Sequence, residues 1–296
     1  MLLYLDCDTG IDDALAVALL LAHRPAVTLA GIGTVDGNTS AAQAARNTLG
    51  LLALAGVTGV PVAAGTTSSS HRARHVHGDN GVGGVTLPAG GDPDRRTAVD
   101  LLLDLADEHA GDLHVLAIGP ATNLARALRR SPRLTGQVAS VTFMAGAVRV
   151  PGNVTPVAEA NVRADPQAAA DLLAADWPAT LVPLDLSMGQ RWAEADRQAL
   201  AGGGSPLHRA LAAMLPVYFD SYEPRLGERV IPLHDPLAAA LVVGLVRPVG
   251  APVLGLRVDV GESAVRESDD APSRVPVVLA IDRPAGPVIL RKILDG

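Results

Sequence analysis

The stretch LDCDTGIDDALAV, residues 5–17, holds four aspartates, Asp6, Asp8, Asp12 and Asp13, within eight positions. The apolar run LLYLDCD (2–8) leads in, and DALAVALLLAHR (13–24) leads out and stops before Pro25. The first has the length of a buried strand and the second the length of a helix. A strand that turns directly into a helix opens a β–α–β unit. This stretch therefore sets the fold class, and the rest of the chain repeats its pattern.

Strand-like VTLAGIGTV (27–35) is followed by helix-like SAAQAARNTLGLLALAG (40–56) and the short strand VPVAAG (60–65). The polar, Gly- and His-rich segment TTSSSHRARHVHGDNGVGG (66–84) is too long for a plain connector, and loops of that length in a compact domain usually carry function. The alternation resumes with AVDLLLDLADEHAG (98–111), LHVLAIG (113–119), ATNLARALRRSP (121–132), VASVTFMAG (138–146), PQAAADLLAAD (166–176) and ATLVPLDLS (179–187). Helical stretches are expected over about 193–222 and 234–246. From APVLGLRVDV (251–260) onward, with VPVVLAIDRP (275–284) and GPVIL (286–290), the chain reads as strands. Strands joined through helices need crossovers, which are right-handed and give a mainly parallel sheet. The expected fold is α/β and Rossmann-like: a mainly parallel central sheet flanked by helices, with a β-rich C-terminal part. No linker-like stretch and no internal repeat divides the chain, so residues 1–296 read as one domain. In such sheets ligands bind outside the carboxyl ends of the strands, where the aspartate cluster falls.

Composition narrows the function classes. Net charge is −7, which argues against a nucleic-acid surface and against an anionic membrane. The longest apolar run, Pro236 to Val246, is about half the roughly 20 residues that a membrane-spanning helix needs. Cys7 is the sole cysteine, so no internal disulfide forms and a reducing compartment is expected. The N-terminus enters a strand with no basic leader, which with the rest predicts a cytoplasmic protein. Lys292 is the only lysine; the bias to Arg, Ala and Gly reads as a compositional habit.

Why would a chain crowd so many carboxylates at a strand end? Helix capping accounts for Thr9 or Asp12, but not for Asp6 and Asp8 on the strand end, where unpaired burial is costly. An EF-hand loop counted from Asp6 would need Gly and Glu where Ile11 and Val17 stand. A haloacid-dehalogenase-type phosphatase also places Asp-x-Asp after a first strand. Its motif continues Gly-Thr, here reversed as Thr9-Gly10, and it needs a mid-chain lysine. A hard-cation site with oxygen ligands remains. Its further donors are on offer in Asn38, in Asn153, Glu159 and Asn161 of GNVTPVAEANVRADP (152–166), and in His234 and Asp235 of HDPLAAAL (234–241).

DCDTGIDDALA, GNTSAAQAARN, HVHGDNGVGG, GPATNLARAL, GNVTPVAEANVRADP and HDPLAAAL, in that order, resemble the motifs of the inosine–uridine-preferring nucleoside hydrolases. The first and fifth are the specific ones. The chain departs from the family pattern at Thr9, where proline is usual, and at Asp36, where a small residue is common. The resemblance implies Ca²⁺-dependent hydrolysis of the N-glycosidic bond of ribonucleosides to ribose and free base. It implies Ca²⁺ ligation by Asp8, Asp13, Asp235 and the carbonyl of Ile118, with a metal-activated water as nucleophile and Asp8 as general base. It places Asp12 and Asn161 on the 2′-hydroxyl, Asn38 on the diol side, and Asn153 and Glu159 on the 5′-hydroxyl, with Asp6 in support. It also implies a nucleoside as the small-molecule partner, with neither nucleic acid nor membrane, and a homodimer or homotetramer.

The chemistry suits those residue types. Cleaving an N-glycosidic bond builds positive charge on the ribose, which carboxylates stabilise where it develops. His234 is the candidate acid for the leaving base, because an unperturbed imidazole titrates near neutrality. A branch of the family dedicated to purines has an aromatic residue there, so His234 points to the inosine–uridine type. Tyr218 and Tyr222, four apart, share a helix face and look like base contacts; the residues alone equally fit ordinary half-buried tyrosines. His77 is placed on the base by resemblance. His75-Val-His77 is too sparse for a zinc site, and His71 reads as solvated. GIGTVDG has the wrong spacing for a dinucleotide fingerprint. The non-enzymatic rival is a nucleoside or ribose sensor that kept the pocket and lost turnover; the intact Asp8 and metal set disfavour it.

Overall fold

The computed structural model describes residues 1–65 and 73–296. Its centre is a six-stranded, wholly parallel sheet. The strands are β1 (Leu2–Cys7), β2 (Thr28–Thr34), β3 (Val62–Ala64), β4 (Leu113–Ala117), β5 (Val138–Met144) and β6 (Ala179–Val182), in the order β3-β2-β1-β4-β5-β6. The order reverses between β1 and β4, so their carboxyl ends flank the crevice where doubly wound sheets bind ligands. Ile118, just past β4, donates its N–H to the carbonyl of Asp6 at 2.9 Å, which sets the two strand ends side by side.

β1 shows why the sequence folds this way. Leu3, Leu5 and Cys7 point into one buried cluster, and Tyr4 points into the cluster on the opposite face. That is the period of two of a strand covered on both sides. The helices are α1 (Ile11–Ala22), α2 (Ala41–Leu54), α3 (Arg74–His77), α4 (Ala98–Glu108), α5 (Thr122–Arg130), α6 (Ala160–Ala164), α7 (Pro166–Ala174), α8 (Leu184–Ser187), α9 (Glu194–Gly202), α10 (Pro206–Leu226), α11 (His234–Val242) and α12 (Ala285–Asp295). α1 is buried from Ile11 to Leu21, packed between the sheet and α10, α11 and α12. That explains why its sequence is apolar nearly all round.

The C-terminal part holds an antiparallel three-stranded sheet of Val253–Asp259, Ala264–Glu267 and Arg274–Pro276, and Pro248–Gly250 pairs with Ala280–Ile281. Three sequence expectations need correction. GPVIL is not a strand but lies within α12, whose buried Ala285, Ile289 and Ile293 recur every four residues. The stretch expected over 193–222 is two helices, α9 and α10, broken at Gly203-Gly204. ATLVPLDLS is a strand only to Val182, and Pro183 then starts the short helix α8. Among the described residues no helix is long and apolar enough to cross a membrane.

Candidate active site

The β1–α1 turn is built around its carboxylates. Asp13 accepts the backbone N–H of Gly10 at 2.8 Å and that of Asp8 at 3.1 Å, so it closes the helix terminus that the turn feeds. Gly10 is the N-cap, and a Cβ there would lie 2.5 Å from Asn38 Nδ2 and 2.7 Å from His77 Nδ1. Only glycine lets both side chains approach. Thr9 is held at φ 26°, with its hydroxyl 2.8 Å from that of Thr48. Asp6 lies beneath, bonded by Tyr4 and Asn123, and burial pushes its carboxyl up to about 7.

Asn38 ties the cluster together. Its N–H donates to Asp8 Oδ2 at 2.7 Å, and its Nδ2 lies 3.1 Å from both Asp8 Oδ1 and Asp13 Oδ2. Asp235, at the start of α11, comes across from the far end of the chain. Carboxylate oxygens of Asp12, Asp13 and Asp235 lie within 4.8 Å of one another, all buried. Asp8, expected with Asp13 and Asp235, is turned toward Asn38. Burial raises the carboxyls of Asp8 and Asp235, and neighbouring aspartates raise them further; Asp13 is raised to about 7 by the same causes.

The donor set fits a cation. Among the described residues Asp12 Oδ1 is buried without a hydrogen-bond partner, and the ligand atoms of the cluster are carboxylate oxygens. A hard divalent ion would neutralise carboxylates that burial otherwise penalises. The carbonyl of Ile118 lines the same cavity and accepts Asn161 Nδ2 at 2.9 Å.

The opposite wall is GNVTPVAEANVRADP. Glu159 caps α6: its carboxylate accepts the N–H groups of Asn161 at 2.9 Å, Val162 at 3.1 Å and Gly146 at 2.8 Å. Asn153 Oδ1 accepts the N–H of Ala160 at 3.0 Å. Both residues line the cavity, and both also fold the loop that carries them.

Four rings form a row along the third wall. His77 and Tyr218 lie 5.3 Å apart, Tyr218 and Tyr222 5.0 Å in an edge-to-face pair, and Tyr222 and His234 6.2 Å. Tyr218 donates to Asp12. His77 Nδ1 accepts the N–H of Ile11 at 3.1 Å, so this nitrogen carries no proton, and burial lowers the imidazole's affinity for a second one. His234 has both ring nitrogens engaged, Nδ1 with Ser187 Oγ at 2.8 Å and Nε2 with the Tyr222 hydroxyl at 3.0 Å. Burial draws it down to about 4, so it is neutral at pH 7.

One cavity thus brings together Asp12, Asn38, His77, Ile118, Asn153, Glu159, Asn161, Tyr218, Tyr222, His234 and Asp235. Asp8 and Asn38 line a neighbouring cavity, and Asp13 lies in the floor. His75 sits at the mouth of both cavities, and His71 lies outside the described residues. Asp36 accepts the N–H of Ala41 at 2.7 Å behind Asn38 and does not line the cavity. The sequence reading missed Arg225 and Ser187. Arg225 was findable, standing three residues past Tyr222 on one helix. Ser187 carried no signal, because it sat in a stretch read as strand.

With this geometry in hand, the comparisons with known proteins converge. The family model for inosine-uridine preferring nucleoside hydrolases matches residues 3–285. The inosine-uridine preferring nucleoside hydrolase of Crithidia fasciculata is 36% identical over 247 residues, covering 81% of this chain and 78% of its own. A plant nucleoside hydrolase structure superposes with a TM-score of 0.92 at 26% identity, covering 100% of this chain and 99% of its own. A purine-preferring ribonucleoside hydrolase from Gardnerella vaginalis gives 0.87 at 29% identity, covering 100% and 97%. The chain belongs to the inosine-uridine preferring nucleoside hydrolase family.

Proposed function

We propose that this enzyme hydrolyses the N-glycosidic bond of inosine- and uridine-type ribonucleosides with Ca²⁺ as cofactor. The observation that supports this most is the meeting, across one buried cavity, of a carboxylate cluster and a row of aromatic and imidazole rings. Asp8, Asp13, Asp235 and the Ile118 carbonyl would hold the ion. When bound, Ca²⁺ supplies Lewis acidity toward water and an anchor for the ribose diol.

Asp8 takes the proton of the attacking water. Asp12 and Asn161 hold the 2′-hydroxyl, and Asn38 the diol side; this fixes the anomeric carbon in line with the attack. Asn153 and Glu159 meet the 5′-hydroxyl. Glu159 accepts three N–H bonds, yet a carboxylate has about four acceptor positions, so one is left for the substrate. Positive charge developing on the ribose faces Asp12 and Asp235. His77, Tyr218, Tyr222 and His234 face the leaving base. Because His234 is neutral and both its ring nitrogens are engaged, it acts on the base through the Tyr222 hydroxyl: Nε2–H donates to that oxygen, and the hydroxyl donates to the base.

The reading extends to a cytoplasmic homodimer or homotetramer acting in ribonucleoside catabolism and salvage. The free, buried Cys7 suits a reducing compartment. The test is a panel of inosine, uridine, cytidine, adenosine and guanosine, with free base measured by chromatography and ribose as reducing sugar. Both products should appear in equal amounts from inosine and uridine. Tight binding without turnover would leave a sensor instead, and light scattering gives the oligomer number.

A further inference from the structure

Arg225 stands in the last turn of α10, and its Nη1 donates to the backbone carbonyl of Asn153 at 2.6 Å. This bridge crosses from α10 to the 151–156 loop. Asn153, Val154, Tyr222 and Arg225 each line two cavities: the central one, and a side groove on the far side of the bridge. The bridge is therefore a partition about one side chain thick. Beyond it the groove is walled mostly by carbon, from Pro151, Pro156, Leu184, Met188 and Leu226. The carboxylates of Asp12, Glu159 and Asp235 all line the central side and none lines the groove.

We propose that this groove is a subsite for a short apolar substituent on the 5′ carbon of the nucleoside, such as a thioether, and that Arg225 is the wall that controls access to it. This rests on the ribonucleoside reading above, with Asn153 on the 5′ side. Opening the partition breaks one hydrogen bond, and Arg225 is exposed, so water replaces it. A 5′-thioether carries no charge, lacks the hydroxyl that Asn153 and Glu159 would hold, and finds carbon surface past the bridge. A 5′-phosphate would gain Arg225 but would place its oxygens beside the buried Glu159 and among apolar walls. The reaction is unchanged. Water adds across the N-glycosidic bond, base and 5′-substituted ribose form, and the substituent is a spectator.

The experiment compares kcat/KM for inosine and 5′-deoxy-5′-methylthioinosine, with inosine 5′-monophosphate and a base-methylated inosine as further arms. Wild type is set beside Arg225→Ala, Leu226→Trp and Pro156→Trp. Arg225→Ala should raise the methylthio-to-parent ratio about tenfold, and either groove-filling tryptophan should lower it about tenfold, the scale for small apolar groups in a pocket. Inosine turnover in the two tryptophan variants should stay near wild type; two separate positions guard against one failing to fold. A ratio that is flat across all variants overturns the proposal. So does a response to Arg225→Ala confined to the phosphate or to the base-methylated substrate. If wild type hydrolyses no nucleoside, the hydrolase reading is what fails. Calorimetric binding of the methylthio compound against inosine then still tests the groove, and equal affinity in wild type and Pro156→Trp would overturn it.

Discussion

Tyr218 donates its hydroxyl hydrogen to Asp12 Oδ2 at 3.1 Å, across 206 positions of chain. This bond joins the aromatic wall to the carboxylate floor. Asp12 Oδ1 lines up with no donor among the described residues, which leaves it for what enters the cavity: a hydroxyl or a cation.

Removing that donor should therefore be felt at once. Tyr218→Phe keeps the ring contacts with His77 and Tyr222 but leaves both Asp12 oxygens unpartnered. A hydrogen bond to a charged group contributes about 1.5–3 kcal/mol, so kcat/KM should fall roughly 10–100-fold. Steady-state kinetics on the best nucleoside decides it, and an unchanged value would place Asp12 outside the substrate contacts.

Asp8→Asn keeps the shape of the side chain and one acceptor for Asn38, but it cannot take a proton. The expected loss in kcat is roughly 10²–10⁴-fold, the range for removing a general base. A variant within about tenfold of wild type would make Asp8 a ligand and no more.

Chelation should act on stability as well as on rate, because Asp13 both closes the first turn of α1 and lies in the cluster. A site held at about a hundred times its Kd stabilises the fold by about 2.7 kcal/mol. For a chain of this size that is roughly 4 °C in Tm. Calorimetry with and without chelator, then with Ca²⁺ added back, measures it. Activity should vanish and return in step with the melting point, and full turnover in preparations shown to be metal-free by elemental analysis would sink the cofactor assignment.

His234→Ala tests the leaving-group side. Inosine needs a proton on its departing base, whereas a nitrophenyl riboside does not. Inosine turnover should fall by about 10²-fold or more, with the nitrophenyl substrate nearly unchanged. An equal fall in both would mean that His234 works through Asp235, and no fall in either would shift the role to His77 or the tyrosines.

Thr9→Pro should destabilise the β1–α1 turn. Proline holds φ near −65°, far from the 26° observed, and the Thr48 contact is lost. About 1–3 kcal/mol is expected from urea unfolding, with Thr9→Gly milder because glycine tolerates the conformation. A stabilised Thr9→Pro would show that the turn relaxes to a conformation with negative φ at this position.

Much of the fold was legible because its strands and helices carry their periods within short windows. GPVIL was not, because Val288, Ile289 and Leu290 alone look like a strand; the helical spacing of Ala285, Ile289 and Ile293 appears only when RKILD is read with them. Asp8, Asp12 and Asp13 were visible because one turn carries them, and Tyr218 and Tyr222 because one helix face does. What the sequence hides is orientation. No pattern reveals that Glu159 spends three bonds on the backbone, or that Ser187 and Tyr222 between them occupy both nitrogens of His234.

The scarcity of aromatic residues has an optical consequence. The chain has three tyrosines, and two of them, Tyr218 and Tyr222, line the cavity in edge-to-face contact. Trp177 and Trp192 are bonded elsewhere, to the carbonyls of Leu172 and Gly286. The tyrosine bands of the near-ultraviolet circular dichroism spectrum therefore report the cavity, while the tryptophan bands report the scaffold. Occupancy can thus be followed on the unmodified protein, with its own chromophores as the label and an internal reference built in.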